Sequence, residues 1–361
     1  MASISMMSYI STVKPPSKFL FDHRKLVPKK FHVARVTNSL SDQLVAKKLA
    51  TESQNNPIPE LKVDEYIPQK IELINKALDE AIPVKYPELL HEAMRYTVLA
   101  RNNRIHPMLC IASCDLVGGD ESMAMATACA VEILFTVGEI VDDLPCLDND
   151  DLRRGKPANH NVFGEGTTVL ASQGLIYFAI EHILTKTKHV SPDRLNRVIV
   201  EICSALGSEG IAAGQIMDIT SEGKEVSLSD LELIHRHKTG KLIEASVVCG
   251  ALVGGGTEEE IERLRKYGKY VGVAHQVWDD ILDVSGNTEE LGKKVGRDLE
   301  RDKATYPKLM GLEGAKNHAK ELEAQAFKEL AYFDSPKADP LYRIANFVVS
   351  RRQSLKLYVQ E

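Results

Sequence analysis

The sequence predicts an all-α fold, a single domain over residues 63–361 built as a bundle of long helices around a central apolar cavity. Three observations predict it. Four long segments, "YIPQKIELINKALDEAI" (66–82), "ESMAMATACAVEILFTVGEIVDD" (121–143), "SDLELIHRHKTGKLIEASVVCGALVGG" (229–255) and "EEEIERLRKYGKYVGVAHQVWDDILDV" (258–284), repeat apolar residues at the helical period. Alternating β-branched runs between Asn-Gly turns, the mark of a β-sheet, are absent. The chain is 361 residues long and 43% hydrophobic, enough to bury a large core.

The first forty residues differ from the rest. They carry seven Lys/Arg against Asp22 alone, six serines and no apolar period, the composition of an organellar transit peptide of the plastid type. A secretory signal would need a continuous apolar core, which is missing. Residues 1–45 are therefore expected to be a plastid transit peptide. Residues 46–62, polar with Pro57 and Pro59, read as a linker. The net +6 of the first forty residues leaves −12 on the remainder of a chain whose total is −6. An acidic body argues against non-specific nucleic-acid binding. No stretch approaches the roughly 18 apolar residues of a membrane span. Six cysteines in a chain of this length make no disulfide framework. Cys110 and Cys114 share a helix face, and without a second Cys/His pair at ligand spacing they read as small buried residues at a helix contact.

The chemistry is announced by carboxylates. In "EIVDDLPCLDNDDLRRGKP", Asp142, Asp143, Asp148, Asp150 and Asp151 crowd together behind an apolar helix and just before Arg153 and Arg154. A second cluster, Asp279, Asp280 and Asp283, follows in "QVWDDILD", with Gln276 on the same side. Buried carboxylates repel one another unless a cation sits among them. Mg2+ binds through a few carboxylates together with substrate phosphates. Lys238 in "HKTG", Lys293 and Lys303 complete a basic ring. Two carboxylate clusters ringed by Lys and Arg suit a diphosphate bridged by Mg2+.

These motifs resemble the trans-isoprenyl diphosphate synthase family, most nearly the plant plastid geranylgeranyl diphosphate synthases, over about residues 65–350. "DDLPCLDNDDLRRGKP" is similar to the family's first aspartate-rich motif, with DDxxxxD at Asp142, Asp143 and Asp148, and "DDILD" to the second. "AAGQIMDI", "HKTG", "VGRDLERDKATYPKL" and "VVCGALVGGG" align as well. The resemblance implies the isoprenoid synthase helical bundle, an allylic prenyl diphosphate of ten to twenty carbons as substrate, Mg2+-dependent ionisation of it, and a homodimer or a heterodimer with a related subunit. It further implies Asp142, Asp143, Asp148, Asp279, Asp280 and Asp283 as metal ligands. Arg153, Arg154, Lys238, Lys293, Lys303 and Arg104 are implied to bind diphosphate, and Lys238, Gln276, Asp218 and Glu139 are the candidate catalytic residues.

The second substrate's site departs from the family. Where the family has GGKRxRP to grip isopentenyl diphosphate, the chain reads "RNNRIHP". Asn103 and His106 replace a lysine and an arginine, Arg104 remains, and Phe135 replaces a histidine or glutamine. A charge-assisted bond to phosphate contributes about 1.5–3 kcal/mol. Losing two of them would cost powers of ten in affinity, although protonated His106 would recover part below pH about 6.5. Glu139, normally aliphatic in the family, shares a helix stripe with Phe135 and Asp142. Trp278 precedes Asp279 and His275 precedes Gln276; Trp278 reads as core, while Glu139 and His275 are candidate bases near a carbocation. The sequence therefore favours a terpene-synthase-like reaction, ionising the allylic diphosphate without isopentenyl diphosphate. The alternatives are chain elongation by a plastid geranylgeranyl diphosphate synthase, using Arg104 and Arg154, and a regulatory subunit of a heteromeric synthase. Retention of both aspartate motifs speaks against the last. Val137 and Gly138, just ahead of Asp142, leave room for a chain of fifteen or twenty carbons.

Overall fold

The computed structural model describes residues 66–286, 295–333 and 335–349, all within one compact unit spanning 63–361. The expected transit peptide and linker at 1–62 lie outside the described residues, as does Lys293. In chain order the main elements are α1 (Tyr66–Ala81), α2 (Glu88–Val98), α3 (Ile105–Leu116), α4 (Glu121–Asp142), β1 (Leu152–Arg153), β2 (Lys156–Pro157), α5 (Asn159–Phe163), α6 (Glu165–Lys186), α7 (Pro192–Leu206), α8 (Ile211–Ser221), α9 (Leu228–His235), a π-helical turn (Arg236–Gly240), α10 (Lys241–Val253), α11 (Glu258–Ser285), α12 (Arg297–Glu300), α13 (Tyr306–Leu330) and α14 (Asp339–Val349). The fold is all-α, as its periodicities require.

α4 runs through the core. Asp120 caps it by accepting a hydrogen bond from the Met123 N–H, and Glu121 places a negative charge in the first turn, where the helix dipole favours it. Contrary to the sequence expectation, α4 is long and apolar enough to cross a bilayer. However, most of its apolar stretch is buried inside the bundle, so its apolar surface is core surface. α11, 28 residues, is the longest helix among the described residues. A capping box starts it: Thr257 and Glu260 each bond the other's backbone N–H.

α3 and α10 pack backbone against backbone. A Cβ at Gly250 would stand 2.0 Å from the Cys110 carbonyl oxygen, and one at Gly254 2.6 Å from that of Cys114. The CxxxC pair is therefore a close helix contact, and all six cysteines are free thiols. Trp278 packs beside a core cluster of Leu231, Val273 and Ile281, as the sequence suggested.

One element escaped the helical reading. β1 and β2 pair antiparallel through a two-residue turn, Arg154-Gly155, with φ of 54° and 76°. Both central residues of this tight hairpin are left-handed, as a type I′ turn demands. Glycine adopts that conformation freely; Arg154 does so at a cost of about 1–2 kcal/mol. The hairpin turns Arg153 and Arg154 back over the C-terminal end of α4.

Candidate active site

The first aspartate cluster sits where α4 ends. The Asp148 N–H donates to the Asp142 carbonyl oxygen at 2.9 Å and the Asp150 N–H to that of Asp143 at 3.2 Å, so the loop folds back on the helix's last carbonyls. The two adjacent carboxylates then part. Asp142 lies among Lys238, Asp148, Arg153 and Lys303; burial raises its carboxyl above the usual range although the cations oppose the shift. Asp143 is gripped by Arg153, whose Nε stands 3.0 Å from Oδ1 and 3.1 Å from Oδ2, and burial raises it as well. Arg153 reaches Asp150 too, at 3.3 Å.

Lys238 comes from the π-helical turn. α8 presses on that turn so closely that a Cβ at Gly214 would lie 2.2 Å from the Lys238 backbone nitrogen. A π turn inside a helix often marks a functional position. Here it directs Lys238 at Asp218 of α8, 2.7 Å away, while Lys303 reaches the same Asp218 oxygen at 2.9 Å. Burial would push the Asp218 carboxyl up, but the two ammonium groups outweigh it and hold it at about 2. Lys303 also stands 4.0 Å from Asp148 and 3.9 Å from Glu222. Arg301 forms an ion pair with Asp148 and bonds its backbone carbonyl. Arg301 and Glu222 were absent from the sequence-based site. Nothing local marks them, because Arg301 lies 153 residues from its partner.

The second cluster is divided in the same way. Gln276, on α11, accepts a hydrogen bond from the Thr239 hydroxyl at 2.8 Å and donates to Asp280 at 3.0 Å. The other Asp280 oxygen accepts the Tyr306 N–H at 3.0 Å, and burial raises this carboxyl well above the ordinary range. Asp283 accepts backbone N–H groups of Gly296 and Asp298, at 3.1 and 3.3 Å. Asp279 is the most open of the three, with its side chain 26% exposed and His275 Nδ1 3.8 Å away. Lys238, which faces Asp142 and Asp148, and Thr239, which bonds Gln276, thus connect the two motifs.

The second-substrate segment has been rebuilt with internal contacts. Arg104 corrects the sequence reading, which had it bind diphosphate. It is 1% exposed. Its guanidinium donates to Glu132 at 2.6 Å, Asn75 at 2.8 Å, and the Val98 and Ala100 carbonyls at 2.9 and 3.1 Å. Burial alone would raise Glu132, but Arg104, Arg154 and His106 outweigh it and lower its carboxyl. Two replaced grip positions touch each other: His106 and Phe135 stack with ring centroids 4.2 Å apart and planes at 28°. Asn103 is half-buried, with its backbone N–H bonded to the Asn102 side chain. Glu139, expected as a base, forms an ion pair with Arg154 and stands 3.9 Å from Arg153. Arg154 also donates to the Thr97 and Ala100 carbonyls, each at 3.3 Å, which places it beside the 101–107 segment.

Among the described residues, no three His, Cys, Asp or Glu side chains form a ready metal cage, because lysines, arginines and backbone donors hold the carboxylates. The donor set nonetheless suits a hard divalent cation, being all carboxylate oxygen. Asp142 and Asp143 also lie at the negative end of the α4 dipole, with their carboxyls raised by burial. A cation there would relieve both effects.

Residues 87–333 match the polyprenyl synthetase family. The chain belongs to that family. It is similar to the chloroplastic heterodimeric geranylgeranyl pyrophosphate synthase large subunit 1 of Arabidopsis thaliana, 51% identical over 324 residues, covering 88% of this chain and 87% of that one. It is also similar to the chloroplastic geranylgeranyl pyrophosphate synthase of Capsicum annuum, at 50% identity and 85% of each chain. A crystal structure of a Helicobacter pylori geranyltransferase, complexed with magnesium and isoprenyl diphosphate, superposes with a TM-score of 0.71 at 28% identity, over 82% of this chain and 99% of that one. The chain is an enzyme of the prenyltransferase class and acts in isoprenoid biosynthesis. The plastid location expected from its N-terminus agrees with the chloroplastic relatives. These relatives correct the functional ranking. Proteins half-identical to this one are named for making geranylgeranyl diphosphate, so the reading without isopentenyl diphosphate yields to chain elongation.

Proposed function

We propose that this protein is a plastid prenyl diphosphate synthase that extends an allylic diphosphate with isopentenyl diphosphate to a product of about twenty carbons. The observation that carries this reading is the cluster of Asp142 and Asp148 with Lys238 and Lys303, held together by Asp218. Lys238 and Lys303 would bind the allylic diphosphate and balance the charge that develops on it as its C–O bond breaks. Asp142, Asp148 and Asp279 would hold Mg2+, which would supply further positive charge to the leaving diphosphate. Arg153 would keep Asp143 in place, while Asp280 and Asp283 would brace the site through Gln276, Tyr306 and the 296–298 backbone. The double bond of isopentenyl diphosphate would then attack the allylic cation. With Arg104 committed to the core, Arg154 and the exposed Arg101 are the cations at the altered segment for the second diphosphate. Space for the growing chain is consistent with Gly138, where an added Cβ would meet nothing within 4 Å.

We also infer a dimer, with a second copy or a related subunit. Leu170, Tyr177 and Leu184, seven residues apart on α6, are 61%, 71% and 49% exposed, a stripe suited to a partner helix. The deciding experiment incubates the full chain and Mg2+ with C10, C15 and C20 allylic diphosphates, with and without isopentenyl diphosphate. Longer diphosphates formed only with isopentenyl diphosphate support the proposal. Hydrocarbons or alcohols formed equally well without it overturn the proposal.

A further inference from the structure

Glu139 and Arg154 carry an inference beyond the reaction itself. Arg154 occupies a left-handed position in a hairpin turn, φ 54°, where a glycine would be at ease. Strain of this kind persists where the surroundings hold the residue to a purpose. The side chain is 9% exposed. Its terminal nitrogens meet the Thr97 and Ala100 carbonyls and the Glu139 carboxylate. Its buried Nε has no hydrogen-bond partner among the described residues, so the guanidinium has an N–H to spare for an anion. Glu139 lies on α4 one turn before Asp143, whose carboxyl it helps to raise, and Arg153 stands 3.9 Å from it.

We propose that Glu139 is an internal anion that occupies Arg154 until a second diphosphate displaces it. Glu139 is thus a built-in competitor for Arg154 that sets how much isopentenyl diphosphate the enzyme requires. The inference rests on the proposed function only in naming that ligand. A diphosphate carries several negative charges against one on the carboxylate, and it can engage both the terminal nitrogens and the free Nε, so it wins the exchange at sufficient concentration. The His106–Phe135 stack adds no fixed charge to help it.

The test removes the competitor. Glu139→Gln keeps shape and hydrogen bonding but abolishes the charge, and Glu139→Leu provides the aliphatic residue of the family pattern. Binding of isopentenyl diphosphate is measured by calorimetry in EDTA, where the carboxylate clusters have no cation to bridge a diphosphate. Michaelis constants for both substrates are then measured with Mg2+. The expected result is a roughly tenfold lower Kd for isopentenyl diphosphate in both variants. Its Michaelis constant should fall in parallel, with that of the allylic substrate shifting less than twofold. An unchanged or raised Kd in the folded variants would show that Glu139 orients Arg154 instead of competing for it, and would overturn the proposal. The calorimetric comparison can be read even if the wild-type protein fails to elongate, so failure of the proposed function and failure of this inference are separate results.

Discussion

The two halves of the site contrast sharply. On the proposed allylic side, Asp142 and Asp148 lie among Lys238, Lys303 and Arg301, and Asp218 bridges the two lysines. Nearly every charge there is one a diphosphate and a divalent cation can use. On the second-substrate side, the charges are spent on the protein. Arg104 neutralises Glu132 inside the core, Arg154 is paired with Glu139, and two aromatic rings stack where the family places a cation and a donor. The first half stores charge for a ligand; the second has turned much of its charge inward. An enzyme so built should hold its allylic substrate firmly and its second substrate weakly.

The largest effect that would break this comparison is loss of the allylic cluster. The double change Asp142→Ala, Asp148→Ala should reduce turnover at least about a thousandfold, the scale of removing preorganised charge stabilisation. Steady-state kinetics with Mg2+ and both substrates checks it, and turnover within tenfold of wild type would refute the site.

Next comes the inward-turned pair. Arg104→Met alone leaves Glu132 buried and uncompensated, and should cost about 3–5 kcal/mol of stability. The double change Arg104→Met, Glu132→Leu should recover most of that loss. Urea denaturation reads the stability. If Arg104 were a substrate grip after all, the stable double variant would bind isopentenyl diphosphate markedly more weakly.

A third effect concerns pH. Burial lowers the His235 imidazole to about 4, against an unfolded value near 6.5. Between those values the unfolded chain binds the extra proton and the native state does not, so stability rises with pH through that window and falls as pH drops from about 6.5 to 4. The loss should approach about 3 kcal/mol at the acid end. Denaturation midpoints measured without metal test this, and a His235→Phe variant should show a flatter acid limb.

The smallest effect sharpens the contrast directly. Restoring the family grip with Asn103→Lys, His106→Arg and Phe135→His should raise kcat/KM for isopentenyl diphosphate about ten- to a hundredfold. Each restored charged contact is worth about 1.5–3 kcal/mol when well aimed, but breaking the His106–Phe135 stack offsets part of the gain. Kinetics with the second substrate varied decides it, and no gain would mean that the rebuilt pocket serves as well as the family's.

Much of this was legible in the chain itself. The periods of "ESMAMATACAVEILFTVGEIVDD" and "EEEIERLRKYGKYVGVAHQVWDDILDV" identified the central helices, because a buried helix must be apolar along its length. The aspartate pairs toward the C-terminal ends of those helices point to the candidate site, because adjacent buried carboxylates are costly without cations. "HKTG" and Lys303 were legible for the same reason, as charges complementary to the clusters. Chain order could not show where an individual side chain points. Asp142 and Asp143 are neighbours, yet one faces lysines and the other Arg153, since successive residues on a helix diverge by about 100°. Asn103 and Arg104 are also neighbours; Arg104 turns inward because Glu132, 28 residues away, would otherwise be buried without a counter-charge. Arg154 reaches Glu139 only because a two-residue turn with left-handed backbone reverses the chain between them. Sequence alone determined which charges this protein carries and that carboxylate clusters ringed by Lys and Arg suit a divalent cation together with an anionic, phosphate-bearing ligand. The tertiary structure decided which charges remain available to that ligand, because pairing inside a folded core depends on distance in space and a charge already neutralised there has little left to offer.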